Sequence, residues 1–454
     1  MNERVVTVVG GGFAGCEAAW AAANRGARVK LYEMRPSKMT PAHKTDKLAE
    51  LVCSNSFKSN NPNSPAGVLK EEMTALGSLM IPTALKHSVP GGEALAVDRD
   101  SFAKEMTNCI ESHHCIEVIR SEFNPETFDF SSGPLIIATG PLTSDAVSLW
   151  LSKVTSRTHL YFYDAVSPTV TSDSIDRSIV WLQSRYDKGD AAYLNCPFTK
   201  DQYEQFIDTL LRAEQAPLHD FEKGRYFEGC MPIEEIAARG RDSLRFGNFK
   251  PVGLKNPKTG ERAYAVVQLR PENREKTLYS LVACQTRMKW GPQKEVLRMI
   301  PGLQNAEFVR LGVIHRNTYV DSPRVLNSDL SLDPERTNLP RGATVFLAGQ
   351  LTGVEGYVES GATGILAGIA AIHKMEGLNW VAPPRESAYG SLVAHVTNDA
   401  SPEYAPMNIN WGLFPDPEPD LQDKSARRAA KLRAAKCGFD SWLTSMSKTL
   451  VNAG

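Results

Sequence analysis

The run Val5-Val-Thr-Val-Val-Gly10-Gly-Gly12-Phe-Ala-Gly15, leading into the alanine-rich Cys16 to Ala23, decides the fold of this 454-residue chain. Its apolar β-branched opening predicts a buried strand, and Gly10-x-Gly12-x-x-Gly15 predicts the sharp turn by which such a strand enters a helix. The first glycine permits the turn, the second lets main chain approach a pyrophosphate, and the third lets helix and strand pack closely. The helix N-terminus then offers unpaired N–H groups and the positive end of its dipole to phosphate. The next apolar run, Val29 to Glu33, ends in a carboxylate 18 residues after Gly15. Glu33 is suited to accept hydrogen bonds from both hydroxyls of an adenosine ribose and to repel a 2′-phosphate. The tightly held nucleotide is therefore expected to be FAD or NAD rather than NADP.

Two later stretches repeat the pattern of a buried strand ending in a glycine turn. They are Leu135 to Ile137, followed by Ala138-Thr139-Gly140-Pro141, and Val345 to Leu347, followed by Ala348-Gly349-Gln350. In a doubly wound sheet ligands gather at the carboxyl ends of strands, which places Gly140, Gly349 and Gln350 at the nucleotide. The glycine-rich segment Gly353 to Gly364, with Gly356 and Tyr357, precedes an alanine- and isoleucine-rich helix and can aim N–H groups at a flavin ring or ribityl phosphate. The Tyr357 ring is suited to stack on an isoalloxazine. Residues 1–154 and 325–454 thus form one nucleotide-binding domain, interrupted by an insertion, 155–324, that mixes short strands with helices such as Lys200 to Ala213. Helices are also expected over Gly15 to Arg25 and Ile233 to Ala238. Met39 to Pro65 reads as a long loop, of a kind that is uncommon unless it closes over a ligand.

Composition narrows the class. The length predicts two or three domains, and no apolar run approaches the roughly 18 residues of a membrane span. The chain opens on a strand rather than a cleavable signal, so a cytoplasmic protein is expected. With 51 basic against 52 acidic residues, overall charge does not announce a nucleic-acid partner, and any such surface must be local. Two basic stretches qualify: Arg239 to Arg262, and the C-terminal helical region with Lys424, Arg427, Arg428, Lys431, Arg433 and Lys436. The eight cysteines contain no Cys-x-x-Cys, which disfavours zinc and dithiol chemistry, and no metal is expected.

Six segments together carry a family resemblance: VVGGGFAGCEAAW at the start, LAELVCSNSFKSN around Cys53, ALAVDRDSF around Asp98, FEGCMPIEEIAARG around Cys230, RLGVIHRNTYV around His315 and LAGQLTGVEGYVESGATG near the end. In order and spacing the chain resembles the folate- and FAD-dependent tRNA (uracil-5-)-methyltransferases, which are related to the FAD protein that modifies wobble uridine with a partner GTPase. The resemblance implies an α/β fold, a Rossmann-like, glutathione-reductase-like FAD-binding domain interrupted by a mixed α+β insertion domain. It implies FAD as cofactor, methylenetetrahydrofolate and NAD(P)H as co-substrates, and tRNA as substrate, with ribosomal RNA the alternative. No obligate protein partner is expected. A partner-dependent wobble-uridine flavoprotein and a non-catalytic RNA-binding flavoprotein are the competing readings.

The chemistry suits the residues. Carbon 5 of uracil is a poor nucleophile until a thiolate adds at carbon 6, and methylenetetrahydrofolate donates carbon two electrons short of a methyl group. By resemblance Cys230 is the nucleophile and Cys53 the base that removes the carbon-5 proton. Cys230 lies between a glycine and a proline ahead of a helix, a setting that favours the thiolate. Arg287 and Lys289, beside Trp290, are expected to meet the flipped base or its phosphate. Arg316 and Asn317, after His315, are expected to contact flavin or folate.

Overall fold

The computed structural model describes residues 4–156, 160–165, 167–188, 190–215, 231–272, 276–312, 314–397, 404, 406–417 and 423–451, with the backbone alone described over 160–165, 314–318, 424 and 447–451. A five-stranded parallel sheet organises the first and last portions. Its spatial order is Val345–Leu347, Leu135–Ile137, Val5–Val9, Arg28–Tyr32 and Ile116–Ile119. The central strands are hydrophobic because both faces are covered, and Val6, Val8, Leu31, Ile136 and Phe346 are almost wholly buried.

Between the first two strands runs the helix Phe13–Ala23, two residues earlier than the glycine spacing suggests, because Gly12 already acts as its N-cap and Gly26 turns the chain left-handed at φ +84°. This helix packs against Tyr357–Met375 through small residues. A Cβ on Gly364 would stand 2.1 Å from the Ala14 carbonyl oxygen, and one on Gly368 2.6 Å from that of Ala18. Only bare glycine lets the two backbones approach so closely. The helix Tyr357–Met375 begins inside the glycine-rich segment rather than after it.

The expected loop Met39 to Pro65 contains a strand, Ser56–Ser59, which pairs with Ala94–Val97. Its polar neighbours hid it: Phe57 alone among its four residues is fully buried, and Lys58 at φ +61° breaks the register.

The middle of the chain builds a second core over Val170 to Phe308, while residues from Val6 to Val154 and from Tyr319 onward share the first. Its sheet is antiparallel in the order Trp181–Leu182, Leu194–Phe198, Ala265–Pro271, Leu278–Leu281, Thr169–Thr171, Phe308–Arg310. Lys200–Arg212 packs its apolar stripe Tyr203, Phe206, Ile207 and Leu210 on one face, and the capping box of Thr199 and Gln202 fixes its start. The paired strands Leu160–Ala165 and Ile314–Tyr319 carry the chain out and back.

Near the C-terminus the helix Lys424–Val451 uses part of its basic charge internally. Lys431 is buried and donates to the carbonyls of Trp411 and Phe414, and Lys436 pairs with Glu71. Among the described residues, no helix is long and apolar enough to cross a membrane.

Candidate active site

The five strands of the parallel sheet all end at one cleft. Gly10, Gly12, Glu33, Gly140, Gly349, Gln350 and Tyr357 all line it. Gly15 and Gly356 do not. A Cβ at Gly15 would lie 1.7 Å from the Gly10 carbonyl oxygen, so this glycine serves the strand–helix contact. Gly356, at φ +112°, lies against the side chains of Lys58 and Glu359. Gly12, in contrast, has open space where a Cβ would stand, and no side chain caps the helix that follows. The first turn thus presents bare N–H groups to the cleft, as an incoming phosphate requires.

Glu33 is buried beside a partner that the motif does not mention. Its carboxylate accepts from the Gly11 N–H at 2.9 Å, and from Arg35 through the backbone N–H at 2.9 Å, Nε at 2.9 Å and Nη2 at 3.1 Å. Four donors fill the lone-pair directions of a carboxylate. Burial alone would raise the Glu33 pKa, but the Arg35 bonds outweigh it and hold the group ionised. Arg35 is itself 1 % exposed and also reaches Glu50 at 3.1 Å, so the ribose end of the cleft is an ion-pair network rather than a lone acid.

Cys53 does not itself line the cleft, but its neighbour Val52 and its partner Tyr357 do. The Cys53 backbone N–H donates to the Tyr357 hydroxyl at 2.8 Å, and its Sγ lies 2.9 Å from the same oxygen. The Tyr357 ring stacks on Phe13, centroids 4.5 Å apart, which fixes the hydroxyl at the sulfur. Burial pushes the phenol well above its ordinary pKa, so it stays protonated and able to donate. Arg99 grips the loop from the opposite side, donating to the carbonyls of Leu51 at 2.6 Å and Cys53 at 3.0 Å.

Arg99 is tied in turn to Glu272 of the insertion, with its Nη2 at 3.3 Å from Oε1 and Nε in closer contact with the other oxygen. Arg310 approaches the same carboxylate at 4.0 Å. Asn55 adds a further tie, donating to the Pro271 carbonyl at 3.1 Å. Burial would raise the Glu272 pKa, but the charge of Arg99 overrides it and holds the carboxyl at about 2. A group depressed from the ordinary value near 4.3 stabilises the fold fully above that value and loses the contribution as pH falls toward 2. Glu272→Gln is therefore expected to cost about 3 kcal/mol at pH 7, where it strands a buried guanidinium, and progressively less toward pH 3. Urea unfolding midpoints of both proteins across this range check it, and an equal loss at both ends would refute the coupling.

Among the remaining sequence-selected residues, Cys230 lies outside the described residues. Its flanks are described, and both are fastened to the stretch from Gln285 to Lys289. Upstream, the Lys289 N–H donates to the Glu214 carbonyl at 3.0 Å and the two side chains pair. Downstream, Ile233 donates to the Gln285 carbonyl at 2.8 Å, while the Arg287 guanidinium meets Glu235 at 2.6 Å. Arg287 and Lys289 thus clasp the two flanks of the segment that carries Cys230. Trp290 is 67 % exposed. Arg316 and Asn317 lie on the strand opposite Tyr163 and Phe162, and their side chains, like that of His315, lie outside what is described.

The described thiols fall into buried and accessible groups. Cys16, Cys196 and Cys284 are buried, and burial drives each far above the ordinary thiol pKa, so they are inert packing residues. Cys53, Cys109 and Cys115 are partly exposed and Cys437 is exposed, and among these Cys53 is held by Tyr357, a residue that lines the cleft. Among the described residues one group, His113, His114 and Cys115, brings possible metal-ligand atoms within 4.8 Å of one another, and none of the three lines the cleft.

Comparison with known proteins gives the family and the fold. The family described as Glucose inhibited division protein A matches residues 5–379. A relative from Lysinibacillus sphaericus, named Methylenetetrahydrofolate--tRNA-(uracil-5-)-methyltransferase TrmFO, is 51% identical over 427 residues, covering 94% of this chain and 95% of its own. The protein of the same name from Bacillus subtilis is 51% identical over 427 residues, covering 94% and 96%. Among solved structures, Aquifex aeolicus GidA superposes with a TM-score of 0.68 at 19% identity, over 99% of this chain and 76% of that one. At that identity the likeness is one of fold.

Proposed function

Because the chain belongs to the family of methylenetetrahydrofolate--tRNA-(uracil-5-)-methyltransferases, we propose that it transfers a one-carbon unit from methylenetetrahydrofolate to carbon 5 of a uridine in the T-loop of tRNA. The observation that carries the catalytic part of this reading is the Cys53 corner. A partly exposed thiol is held by a protonated phenol whose ring lines the nucleotide cleft.

FAD fits the cleft. Its strand ends, the open space at Gly12 and the uncapped helix Phe13–Ala23 suit a pyrophosphate. Glu33 is assigned to the ribose, with hydroxyls replacing part of the Arg35 contact. Bound FAD, reduced by NAD(P)H, supplies the two electrons that separate a methylene from a methyl group.

The remaining steps belong to side chains. The Cys230 thiolate is assigned addition to carbon 6 of the uracil, which makes carbon 5 nucleophilic toward the folate methylene carbon. Cys53, as a thiolate, is assigned removal of the carbon-5 proton as the carbon–nitrogen bond to tetrahydrofolate breaks; once the methylene left on carbon 5 has been reduced to methyl, the carbon 6–sulfur bond breaks, the Cys230 thiolate returns and the ring regains its double bond. Tyr357 donates to that thiolate and holds the Cys53 backbone, while Arg99 fixes the neighbouring carbonyls. Arg287 and Lys289 hold the Cys230 segment at its flanks, and Arg316 and Asn317 are assigned to the substrate side.

The direct test mixes the purified holoprotein with unmodified tRNA, methylenetetrahydrofolate and NAD(P)H and weighs the nucleosides by mass spectrometry. One added methyl on uridine, lost when folate is omitted, is the expected result. A methyl drawn from S-adenosylmethionine excludes the reading, and a parallel reaction on ribosomal RNA decides the substrate.

Tyr357→Phe separates positioning from cofactor binding, because the ring remains and only the hydroxyl goes. The expected outcome is a kcat about tenfold lower with FAD affinity within twofold, and an acidic limb of the pH–rate profile moved up by about one unit. An unmoved profile would mean that the hydroxyl serves structure alone.

A further inference from the structure

The six-stranded sheet of the insertion has two unlike faces. Val267, Leu269, Tyr279, Leu281 and Val170 point into the second core. The alternate residues turn the other way, and strand register aligns four of them: Arg270 opposite Ser280, Ser280 opposite Thr169, and Thr169 opposite Arg310. Directly opposed residues share a face, so these four form one polar row across the sheet. The row looks toward the Cys53 corner, because Arg310 approaches Glu272, and Glu272 holds Arg99 against the Cys53 carbonyl.

Three members of this row are buried, Arg310 is partly exposed, and the row is incompletely bonded. Arg270 is 9 % exposed, Ser280 4 % and Thr169 3 %. Arg270 Nε, Ser280 Oγ and Arg310 Nε are inaccessible and have no hydrogen-bond partner among the described residues. Arg310 spends one Nη2 bond on Thr169 at 3.0 Å, and Arg270 has no side-chain hydrogen bond or ion pair among the described residues. Glu272 is the carboxylate paired with Arg99 and Arg310, so Arg270 adds a third guanidinium around a single acid. A guanidinium does not deprotonate, and a fold that buries one unpaired incurs a desolvation cost which a bound anion would reverse.

We propose that this row is a binding site for an anionic oxygen group, a carboxylate or a phosphate, held by Arg270 and Arg310 with the Ser280 hydroxyl between them. Planar guanidinium forks suit both groups. The source of the anion rests on the proposed function, under which a folate carries glutamate carboxylates and an RNA carries phosphodiesters.

The test is equilibrium binding, read without turnover, on the flavin-loaded protein and its Arg270→Gln variant. The probes are tetrahydrofolate, tetrahydropteroate, which lacks the glutamate, and unmodified tRNA. The variant is expected to bind one anionic probe at least tenfold more weakly at unchanged flavin content. If the anion is the glutamate, the wild type prefers tetrahydrofolate over tetrahydropteroate about tenfold and the variant loses that preference. If it is a phosphodiester, the slope of log affinity against log salt for tRNA falls by about one, and folate binding is unaffected. Arg310→Lys, which keeps charge but loses the fork, serves as the second variant and is expected to show the same loss. Binding of all three probes within twofold of wild type in both variants overturns the proposal. A wild type that methylates nothing yet binds in an Arg270-dependent way would defeat the functional reading and leave the site standing.

Discussion

Replacing either of the thiols assigned to the chemistry, Cys53 or Cys230, is expected to abolish methyl transfer while leaving the flavin in place, and the two replacements are expected to part company over a trapped intermediate. Cys53→Ala and Cys230→Ala should each lower turnover at least 10³-fold, because each removes a step rather than weakening a contact. With RNA carrying 5-fluorouridine, carbon 5 has no proton to surrender, so a nucleophilic adduct accumulates. Cys53→Ala should still form that covalent protein–RNA complex, since its nucleophile is intact, and Cys230→Ala should not. The complex is read as a band shift on a denaturing gel. Trapping by Cys230→Ala alone would exchange the two roles, and turnover above a tenth of wild type in either variant would remove that thiol from the chemistry. The fastening of Glu214 and Ile233 to the stretch Gln285 to Lys289 bears on the design of this experiment. Substitutions at Arg287 or Lys289 loosen the flanks of the Cys230 segment and so lower activity without touching RNA, which makes them poor probes of recognition.

Legibility in the sequence followed the range of the interactions. The nucleotide cleft was readable because its parts are local: a glycine turn must stand where a strand meets a helix, and Gly10, Gly140 and Gly349 mark three such points. The pairing of Cys53 with Tyr357 joins residues 304 apart and has no local signature. Arg99 and Glu272, separated by 173 positions, are equally silent, as is the row Arg270, Ser280, Thr169 and Arg310, which exists only once the strands have chosen their register. Arg35 was within reach. A cation two residues beyond a ribose-binding acid is close enough to neutralise it, and the single-acid argument against a 2′-phosphate weakens accordingly. The strand Ser56–Ser59 escaped because one buried phenylalanine among polar residues gives no alternation to detect.

The glycine motif makes a second large prediction, in which two neighbouring substitutions of the same size fail for opposite reasons. In Gly15→Ala the new methyl group would meet the Gly10 carbonyl oxygen at 1.7 Å. The obstacle is backbone, so no rotamer relieves it, and the turn or the helix must shift. The expected cost is about 3 kcal/mol or more, with the protein recovered nearly colourless and its urea midpoint lowered. In Gly12→Ala the methyl group enters open space, with nothing within 4 Å. The fold should stand, its midpoint without flavin unchanged, while the methyl group occupies the path by which a pyrophosphate reaches the N–H groups of the helix Phe13–Ala23. Flavin affinity is expected to fall at least tenfold, measured by release and re-titration of FAD into the stripped protein. Wild-type FAD affinity in Gly12→Ala would show that the cofactor does not approach the main chain there. Wild-type stability in Gly15→Ala would show that the strand and the helix do not need their close contact. Each substitution thus tests one physical role of the motif and is blind to the other, so loss of flavin can be assigned to binding or to folding.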